Sequence, residues 1–250
     1  MKVISILNFK GGVGKTTTAV NFAQIIAEKH NKKVLLIDAD RQANATMYVS
    51  NRKEHSLADV LNDEVEIHEA IYKTKYENMD IITGSMDLYD TDKKLKETNE
   101  IMKAAVLINK ISDIRDYDYV FIDLPPGINN ILLNCLIATH EVIIPIRLDY
   151  FSISGMSELK KQIDNISQVN EYLKINGVLI THFKNNEFNR ASKNVIETMV
   201  EGVPVYENVI RYNPKIAEST IENVAINDYS CRCGAAIDYK RAVKEFLERD

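Results

Sequence analysis

The stretch that decides the fold is Lys10–Thr17, which reads KGGVGKTT. It follows the apolar run Val3–Leu7 and leads into Ala19–Ala27, where apolar residues recur at helical spacing. A strand, a glycine-rich loop and a helix in this order bind phosphate, because glycines let consecutive backbone N–H groups turn toward an anion at a helix N-terminus. A glycine-rich turn without a ligand would require the whole run to arise by chance. The stretch therefore predicts a nucleotide site.

Each polar residue of this loop has a predicted task. Lys15 is placed to reach the β and γ phosphates, and the hydroxyl of Thr16 is expected to bind Mg²⁺. Lys10 adds a second positive charge, which Lys15 would repel unless a polyanion lies between them, or unless Lys10 points to another subunit or into solvent. The residues expected to contact the nucleotide are Lys10, Gly11, Gly12, Val13, Gly14, Lys15, Thr16 and Thr17.

Carboxylates end two further apolar runs. Asp38 and Asp40 follow Val34–Ile37, and Asp123 follows Tyr119–Ile122. Open α/β sheets bind ligands at the carboxyl ends of their strands, and side chains two residues apart on a strand lie on the same side. We therefore expect Asp38 and Asp123, with Thr16, to hold Mg²⁺, and Asp40 to approach the attacking water. Structural turn or capping roles are the alternative for all three.

Six apolar runs predict the strands of one sheet: Val3–Leu7, Val34–Ile37, Met79–Ile82, Tyr119–Ile122, Val142–Ile146 and Gly177–Ile180. They are continuous rather than alternating, which is typical of parallel strands buried on both faces. Helices are expected at Ala19–Ala27, Leu57–Leu61, Leu95–Ile114, Ile153–Ile166 and Ala235–Leu247. We predict an α/β fold of the P-loop NTPase type, with a doubly wound, mostly parallel sheet, helices on both faces and a single domain over residues 1–250.

Composition excludes several classes of protein. The chain has 250 residues, of which 45% are hydrophobic and 27% charged, and its formal net charge is -5. No apolar run is long enough to span a bilayer, and the acidic balance excludes a wholly basic nucleic-acid coat, so any DNA contact needs a local patch. The short run Val3–Leu7 does not fit a signal peptide, and an odd count of three cysteines fits free thiols in a reducing compartment. We expect a cytoplasmic location.

The loop with its early lysine resembles the ParA and MinD group of ATPases. The resemblance continues through DADRQANAT at residues 38–46 and DLPPG at residues 123–127, and it covers nearly the whole chain. It implies ATP and Mg²⁺ as cofactors, with Lys10, Lys15 and Asp40 as catalytic residues. In that family the residue matching Lys10 reaches across a nucleotide-sandwich dimer, and the residue matching Asp40 orients or activates the hydrolytic water.

Three positions depart from the family pattern. Arg41 stands in place of proline, Ala43 in place of glycine, and Gly127 where serine is usual. We therefore expect the loop after Asp40 to move differently from that of its relatives.

The resemblance is greatest to the partition-ATPase branch. It implies a slow ATPase that dimerises with ATP, binds duplex DNA without sequence preference and segregates chromosome, plasmid or mobile-element DNA with a ParB-type centromere-binding partner at the nucleoid. The candidate DNA contacts are Arg190, Lys193, Arg211 and Lys215, unless they form an ordinary solvated face.

Two other functions stay open beside DNA segregation. One is an ATPase that positions protein clusters or membrane-bound cargo, and the other is a module that binds ATP but barely hydrolyses it. The acidic residues among the last three positions, 248–250, disfavour a membrane-binding C-terminal helix. Because the first apolar run begins at the start of the sequence, we expect no N-terminal helix-turn-helix extension.

Overall fold

The computed structural model describes residues 1–51, 53–97, 105–199 and 202–249. Within these ranges a seven-stranded sheet has the order β3-β4-β2-β5-β1-β6-β7. β3 pairs antiparallel with β4, and the other neighbours are parallel. The strands are β1 (Lys2–Ile6), β2 (Val34–Asp38), β3 (Ile71–Lys73), β4 (Met79–Ile82), β5 (Tyr119–Asp123), β6 (Glu141–Arg147) and β7 (Lys174–Thr181). The predicted α/β class with a mostly parallel sheet is confirmed.

Helices cover both faces of the sheet. Those on one face are α1 (Lys15–Lys29), α2 (Asn44–Val49), α9 (Pro214–Ile221), α10 (Ile226–Tyr229) and α11 (Gly234–Arg249). Those on the other are α3 (Leu57–Leu61), α4 (Leu88–Glu97), α5 (Val106–Ser112), α6 (Asn130–Ile137), α7 (Tyr150–Ser167) and α8 (Glu187–Met199). A 3₁₀ turn spans Ile67–Ala70. No helix in the described ranges has both the length and the apolar character needed to cross a bilayer.

Alternate residues of each central strand enter different cores. Ile4 and Ile6 of β1 pack on the α1 face, whereas Val3 packs on the α6 face. The inner positions of these strands are therefore mostly apolar, with the buried Ser5 of β1 an exception, which is why each strand reads as a nearly continuous apolar run. On the α1 face, the ring of Phe246 in α11 lies 6.0 Å from the ring centroids of Phe22 and Phe121. These aromatic contacts, one edge-on and one tilted, fix α11 to the sheet.

Several elements differ from the sequence prediction, and helices α2, α8, α9 and α10 were not predicted. β3 was not predicted, because it is a three-residue edge strand whose residues are only half-buried or exposed. The helix predicted at Leu95–Ile114 is wrong in its bounds, since α4 begins at Leu88, α5 covers Val106–Ser112, and residues 98–104 lie outside the described part. The start was missed because the buried position one turn after Leu88 is Thr91, a polar residue that interrupts the apolar stripe.

The strand order brings three carboxyl ends together. In the register of the sheet, Asp123 of β5 lies opposite Ile6 of β1 on one side and opposite Asp38 of β2 on the other. The glycine loop follows β1 directly. The sheet thus places the loop and both strand-end carboxylates at one edge.

Candidate nucleotide site

The glycine loop turns through backbone angles that favour glycine. Gly12 has φ +71° and Gly14 has φ +89°, in the left-handed region where a Cβ is strained. Gly14 directly precedes α1, so the unpaired N–H groups of the first helical turn face the loop. The loop is held from behind by Asn8, whose amide donates to the Pro145 carbonyl at 2.8 Å and whose Oδ1 accepts from Lys10 N at 2.9 Å. Asn8 was not among the predicted site residues, because its role depends on a strand more than a hundred residues away.

The two lysines of the loop have separate partners. Lys15 is buried, and its ammonium donates to the Lys10 carbonyl at 2.7 Å. Burial lowers the pKa of Lys15, and the charges of Asp123 and Asp40 oppose that shift. The Lys10 ammonium, 37% exposed as a side chain, instead lies 3.0 Å from Asp149 Oδ1 at the rim of the site. The Lys15 ammonium thus lies on a backbone carbonyl and the Lys10 ammonium on a carboxylate, and these separate partners relieve the repulsion expected between the two lysines.

Three predicted carboxylates converge behind the loop. Asp38 and Asp123 are fully buried, and Asp40 is nearly so. Thr16 Oγ1 donates to Asp123 Oδ2 at 2.6 Å. Asp38 Oδ2 accepts from both the backbone N and the hydroxyl of Thr46 at 2.8 Å. Asp38 therefore fastens the start of α2, whereas Asp123 faces the phosphate loop.

Burial, together with repulsion from neighbouring carboxylates, raises the pKa values of Asp38 and Asp123. Burial raises the pKa of Asp38 to about 6, against the opposing effect of the hydrogen bonds from Thr46 and Asp40 N. Burial and then the charge of Asp38 raise the pKa of Asp123 well above its usual range, opposed by the Thr16 hydrogen bond and by Lys15. The pair is a concentration of negative charge that only cations or protons can neutralise.

These residues fit a magnesium ion. Asp123 Oδ1 is buried and has no hydrogen-bond partner among the described residues, which leaves it available as a ligand. A hydroxyl and carboxylate oxygens are the hard donors that Mg²⁺ prefers. Asp123 and Thr16 are therefore the residues that would hold the ion, and the two oxygens of Asp38 are already engaged by Thr46 and Asp40 N. A direct metal role for Asp38 stays a prediction.

Asp40 closes its own turn. Its Oδ1 accepts from Gln42 N at 2.9 Å, and its carbonyl accepts from Ala43 N at 2.9 Å. Ala43 has φ +54°, so this position, usually glycine in the family, adopts the left-handed conformation that glycine favours. Gly84 lies directly against the turn, because a Cβ there would be 2.7 Å from the Asp40 carbonyl oxygen. Gly84 was not among the predicted site residues, although its place just after a predicted strand was an available signal.

A cavity of about 390 Å³ joins the loop to the C-terminal half of the chain. Its wall opposite the glycines is the segment 210–217, which sequence analysis did not assign to the nucleotide. Val13 is buried beside the cavity and its carbonyl accepts from the Thr181 hydroxyl at 2.8 Å. The predicted residues that line the cavity are Gly11, Gly12, Gly14, Lys15, Thr16, Thr17, Asp40 and Arg211.

Arg211 is held in a fixed position on that wall. Its guanidinium donates to both oxygens of Asp238, at 2.6 and 2.7 Å. The Arg211 side chain also packs against Gly234, where an added Cβ would lie 2.6 Å from Arg211 Cδ. The same arginine lines a neighbouring cleft of about 670 Å³ together with Lys184 and Arg241, two cations that sequence analysis did not single out.

The other predicted DNA contacts lie on two helices. Arg190 is exposed on α8. Lys193, also on α8, donates to the Glu207 carbonyl at 3.2 Å, and Lys215 on α9 donates to Ser230 Oγ at 2.9 Å. The structure thus distributes the four candidates over three segments, and their contact with DNA stays a prediction.

The fold and the site together define a P-loop nucleotide-binding protein. A family model described as AAA domain (AAA_31) matches residues 1–175. The chromosome partitioning protein ParA of Caulobacter vibrioides is 30% identical over 259 residues, covering 100% of this chain and 95% of that protein. The sporulation initiation inhibitor protein Soj of Bacillus subtilis is 32% identical over 255 residues, with 98% and 97% covered. The chain belongs to the ParA/MinD family of P-loop ATPases.

Solved structures have the same fold. Apo McdA from Cyanothece superposes with a TM-score of 0.87 at 21% identity, covering 99% of both chains. The cobyrinic acid a,c-diamide synthase of Mycobacterium smegmatis, with a bound ATP analogue and magnesium, has a TM-score of 0.85 at 24% identity, with 99% of this chain and 95% of that one covered. The predicted P-loop NTPase architecture is confirmed.

Proposed function

We propose that the protein is an ATP-dependent dimeric switch that segregates DNA. ATP with Mg²⁺ converts it from monomer to a sandwich dimer, the dimer binds duplex DNA without sequence preference, and hydrolysis to ADP and phosphate returns it to monomer. The unit that switches is a single domain formed by the whole chain, acting in the cytoplasm at the nucleoid. The relatives named ParA and Soj support the partition branch of the family.

One observation supports dimerisation: the two lysines of the loop differ in their exposure to solvent. Lys15 is buried under the loop, where it serves the phosphates of its own nucleotide, whereas Lys10 is partly exposed at the rim. A lysine at the rim is suited to an anion on another molecule, since its flexible stem can leave the exposed ion pair with Asp149 at little cost. ATP held between two protomers would be that anion.

Each residue of the site has one task in hydrolysis. The glycine loop and the N-terminus of α1 bind the phosphates through backbone N–H groups, and Lys15 neutralises them. When bound, Mg²⁺ supplies positive charge that stabilises the phosphate oxygens, held by Thr16 and Asp123. Asp40 orients the attacking water and accepts its proton. Because Asp40 is tied into its own turn, we expect slow basal turnover that a ParB-type partner raises.

DNA binding is proposed for the basic residues of the C-terminal half. Lys184, Arg211 and Arg241 line one cleft, and Arg190 and Lys193 lie on α8. With a net charge of -5, the protein needs such a local cluster to attract phosphates. Arg211 is the member that also lines the nucleotide cavity, so it is suited to make DNA binding respond to ATP.

The test is fluorescence anisotropy of an arbitrary duplex with ATP, ADP or no nucleotide at two salt concentrations. We expect binding only with ATP, weaker at high salt and equal for unrelated sequences. Arg190→Ala should weaken binding without changing ATP turnover, whereas the matched exposed variant Lys161→Ala on α7 should change neither. If ATP dimerises the protein but no state binds DNA, the switch stands and its cargo is a protein or a membrane.

A further inference from the structure

Helix α4 touches both loops that carry the carboxylates of the site without lining the nucleotide cavity. Leu88 and Thr91 of α4 are buried, and the Thr91 hydroxyl donates to the Asp87 carbonyl at 3.1 Å. Leu88 belongs to the core that also contains Ile37 and Ile82 of the sheet. The helix is therefore packed into the core, so it can restrain the residues that contact its other side chains.

The first attachment leads to the turn of Asp40. The Arg41 guanidinium lies over the ring of Tyr89, 5.5 Å from its centroid, and the Lys93 ammonium lies 4.0 Å from the same centroid. A guanidinium stacked on an aromatic ring is attracted by the π-electrons and is held in orientation. Since Arg41 directly follows Asp40, the ring of Tyr89 restrains the turn that the Asp40 carboxylate closes.

The second attachment leads to the loop after Asp123. Asp92 Oδ1 accepts from the backbone N of Asn130 at 2.7 Å and from that of Ile131 at 3.1 Å, and the Asp92 carbonyl accepts from the Asn130 amide at 3.0 Å. These N–H groups open α6, where no partner within the helix exists. The carboxylate thus fixes the far end of the loop that begins at Asp123.

A third contact lies just before the helix. Gly84 N donates to Thr46 Oγ1 at 3.0 Å, and the same hydroxyl donates to Asp38. The approach of Gly84 to the Asp40 carbonyl leaves no room for a side chain. The segment that leads into α4 is therefore packed against the end of β2 that carries Asp38 and Asp40.

We propose that Tyr89 and Asp92 are positioning residues for ATP hydrolysis. Tyr89 acts on Asp40 through Arg41, and Asp92 acts on the Asp123 loop through the N-terminus of α6, so one rigid helix sets the position of both carboxylates relative to the phosphate loop. This inference rests on the proposed function, because it requires hydrolysis at this site. Arg41 occupies the place of the family's proline, and its contact with Tyr89 supplies from another helix the restraint that a proline ring would give locally.

The experiment measures kcat and KM for ATP with saturating Mg²⁺. We expect Tyr89→Ala and Arg41→Ala each to lower kcat about 5- to 10-fold, because a small displacement of a reacting group is costly. KM should change less than about twofold, since the groups that bind phosphate stay in place. The variant that combines Arg41→Ala with Tyr89→Ala should be no slower than the slower of the two single variants, because the effects of coupled residues are not additive. Tyr89→Phe keeps the ring and should retain the wild-type kcat. The matched control is Lys96→Ala, which replaces an exposed residue of the same helix.

Asp92 is tested by hydrogen exchange. Asp92→Ala should speed exchange of the Asn130 and Ile131 amides and lower kcat, whereas Lys96→Ala should do neither. Arg41→Ala truncates an exposed side chain, so it carries the kinetic test if Tyr89→Ala fails to fold. A wild type that never hydrolyses ATP would refute the proposed function. A wild type that turns over while Arg41→Ala and Asp92→Ala keep its kcat, or additive effects of Arg41 and Tyr89, would overturn the role of α4.

Discussion

Single side chains set the electrostatics of the nucleotide site. Lys15, Asp38 and Asp123 are buried charges that no apolar core tolerates unpaired. Their opposite signs compensate only in part, since Asp38 and Asp123 both have raised pKa values. A polyanion and a divalent cation arriving together would complete the compensation. This is a physical reason for the site to bind nucleotide and magnesium as a unit.

Replacing either of the two loop lysines is expected to remove a different property, ATP binding for Lys15 and dimerisation for Lys10. Lys15→Ala should abolish measurable ATP binding, because the buried ammonium is the one placed to neutralise the phosphates. Lys10→Ala should keep ATP binding but lose dimerisation, with unfolding stability changed by about 1 kcal/mol or less because its ion pair with Asp149 is partly exposed. Calorimetry with ATP and size-exclusion chromatography separate the two. A Lys10→Ala protein that still dimerises with ATP would disprove the sandwich.

His140 gives the fold a measurable pH response. Its Nδ1 accepts from Val3 N at 2.9 Å, and burial, with the nearby amino terminus and Lys2, lowers its pKa below the usual 6.5. Below pH 6.5 the unfolded chain binds more protons at this residue than the folded chain, so its contribution to stability is lost as pH falls. His140→Asn keeps an acceptor for Val3 N without titrating. Urea unfolding at pH 7.5 and 5.5 should show a smaller loss for the variant, and an equal loss would exclude this role.

Among the elements, α11 contributes to both stability and site geometry. Phe246 packs its ring 6.0 Å from those of Phe22, Phe121 and Tyr119. At the other end of the helix, Asp238 binds Arg211 on the wall of the nucleotide cavity. The helix therefore links the aromatic core of the α1 face to the residues that enclose the nucleotide.

Removing the ring of Phe246, which anchors α11, should lower the stability of the fold. Phe246→Ala removes a fully buried ring from a closely packed cluster and should lower the free energy of unfolding by about 3–5 kcal/mol. Ile237→Ala, on the exposed side of the same helix, is the matched control and should cost much less. Chemical denaturation at constant pH measures both. Similar losses for the two variants would mean that α11 is held by something other than the aromatic cluster.

At the scale of the whole molecule, Asp40 is the residue expected to set the lifetime of the proposed dimer. Asp40→Ala removes the proposed acceptor of the water proton without touching Lys10, Lys15 or Thr16. We expect ATP turnover to fall by about 10²-fold or more, and an ATP-bound dimer that persists instead of dissociating. Light scattering after ATP addition follows the dimer over time. Adding Lys10→Ala to this variant should return it to monomer, and normal turnover in Asp40→Ala would remove its catalytic role.

The sequence by itself determined the strands and the phosphate loop. Both are local: continuous apolar runs specify strands buried on two faces, and glycines with lysine and threonine specify the loop at a helix N-terminus. Asp123 followed from the same logic, as a carboxylate at the end of such a run. The edge strand β3 and the start of α4 were missed because short or interrupted patterns carry little periodic signal.

Only the tertiary structure decided what surrounds the loop. Asn8 holds it through Pro145, Gly84 lies against Asp40, and segment 210–217 closes the nucleotide cavity. These contacts join residues that are tens to about two hundred positions apart, so no local pattern encodes them. They exist because parallel strands bring their carboxyl ends to one edge of the sheet, where chain segments distant in sequence must pack against each other.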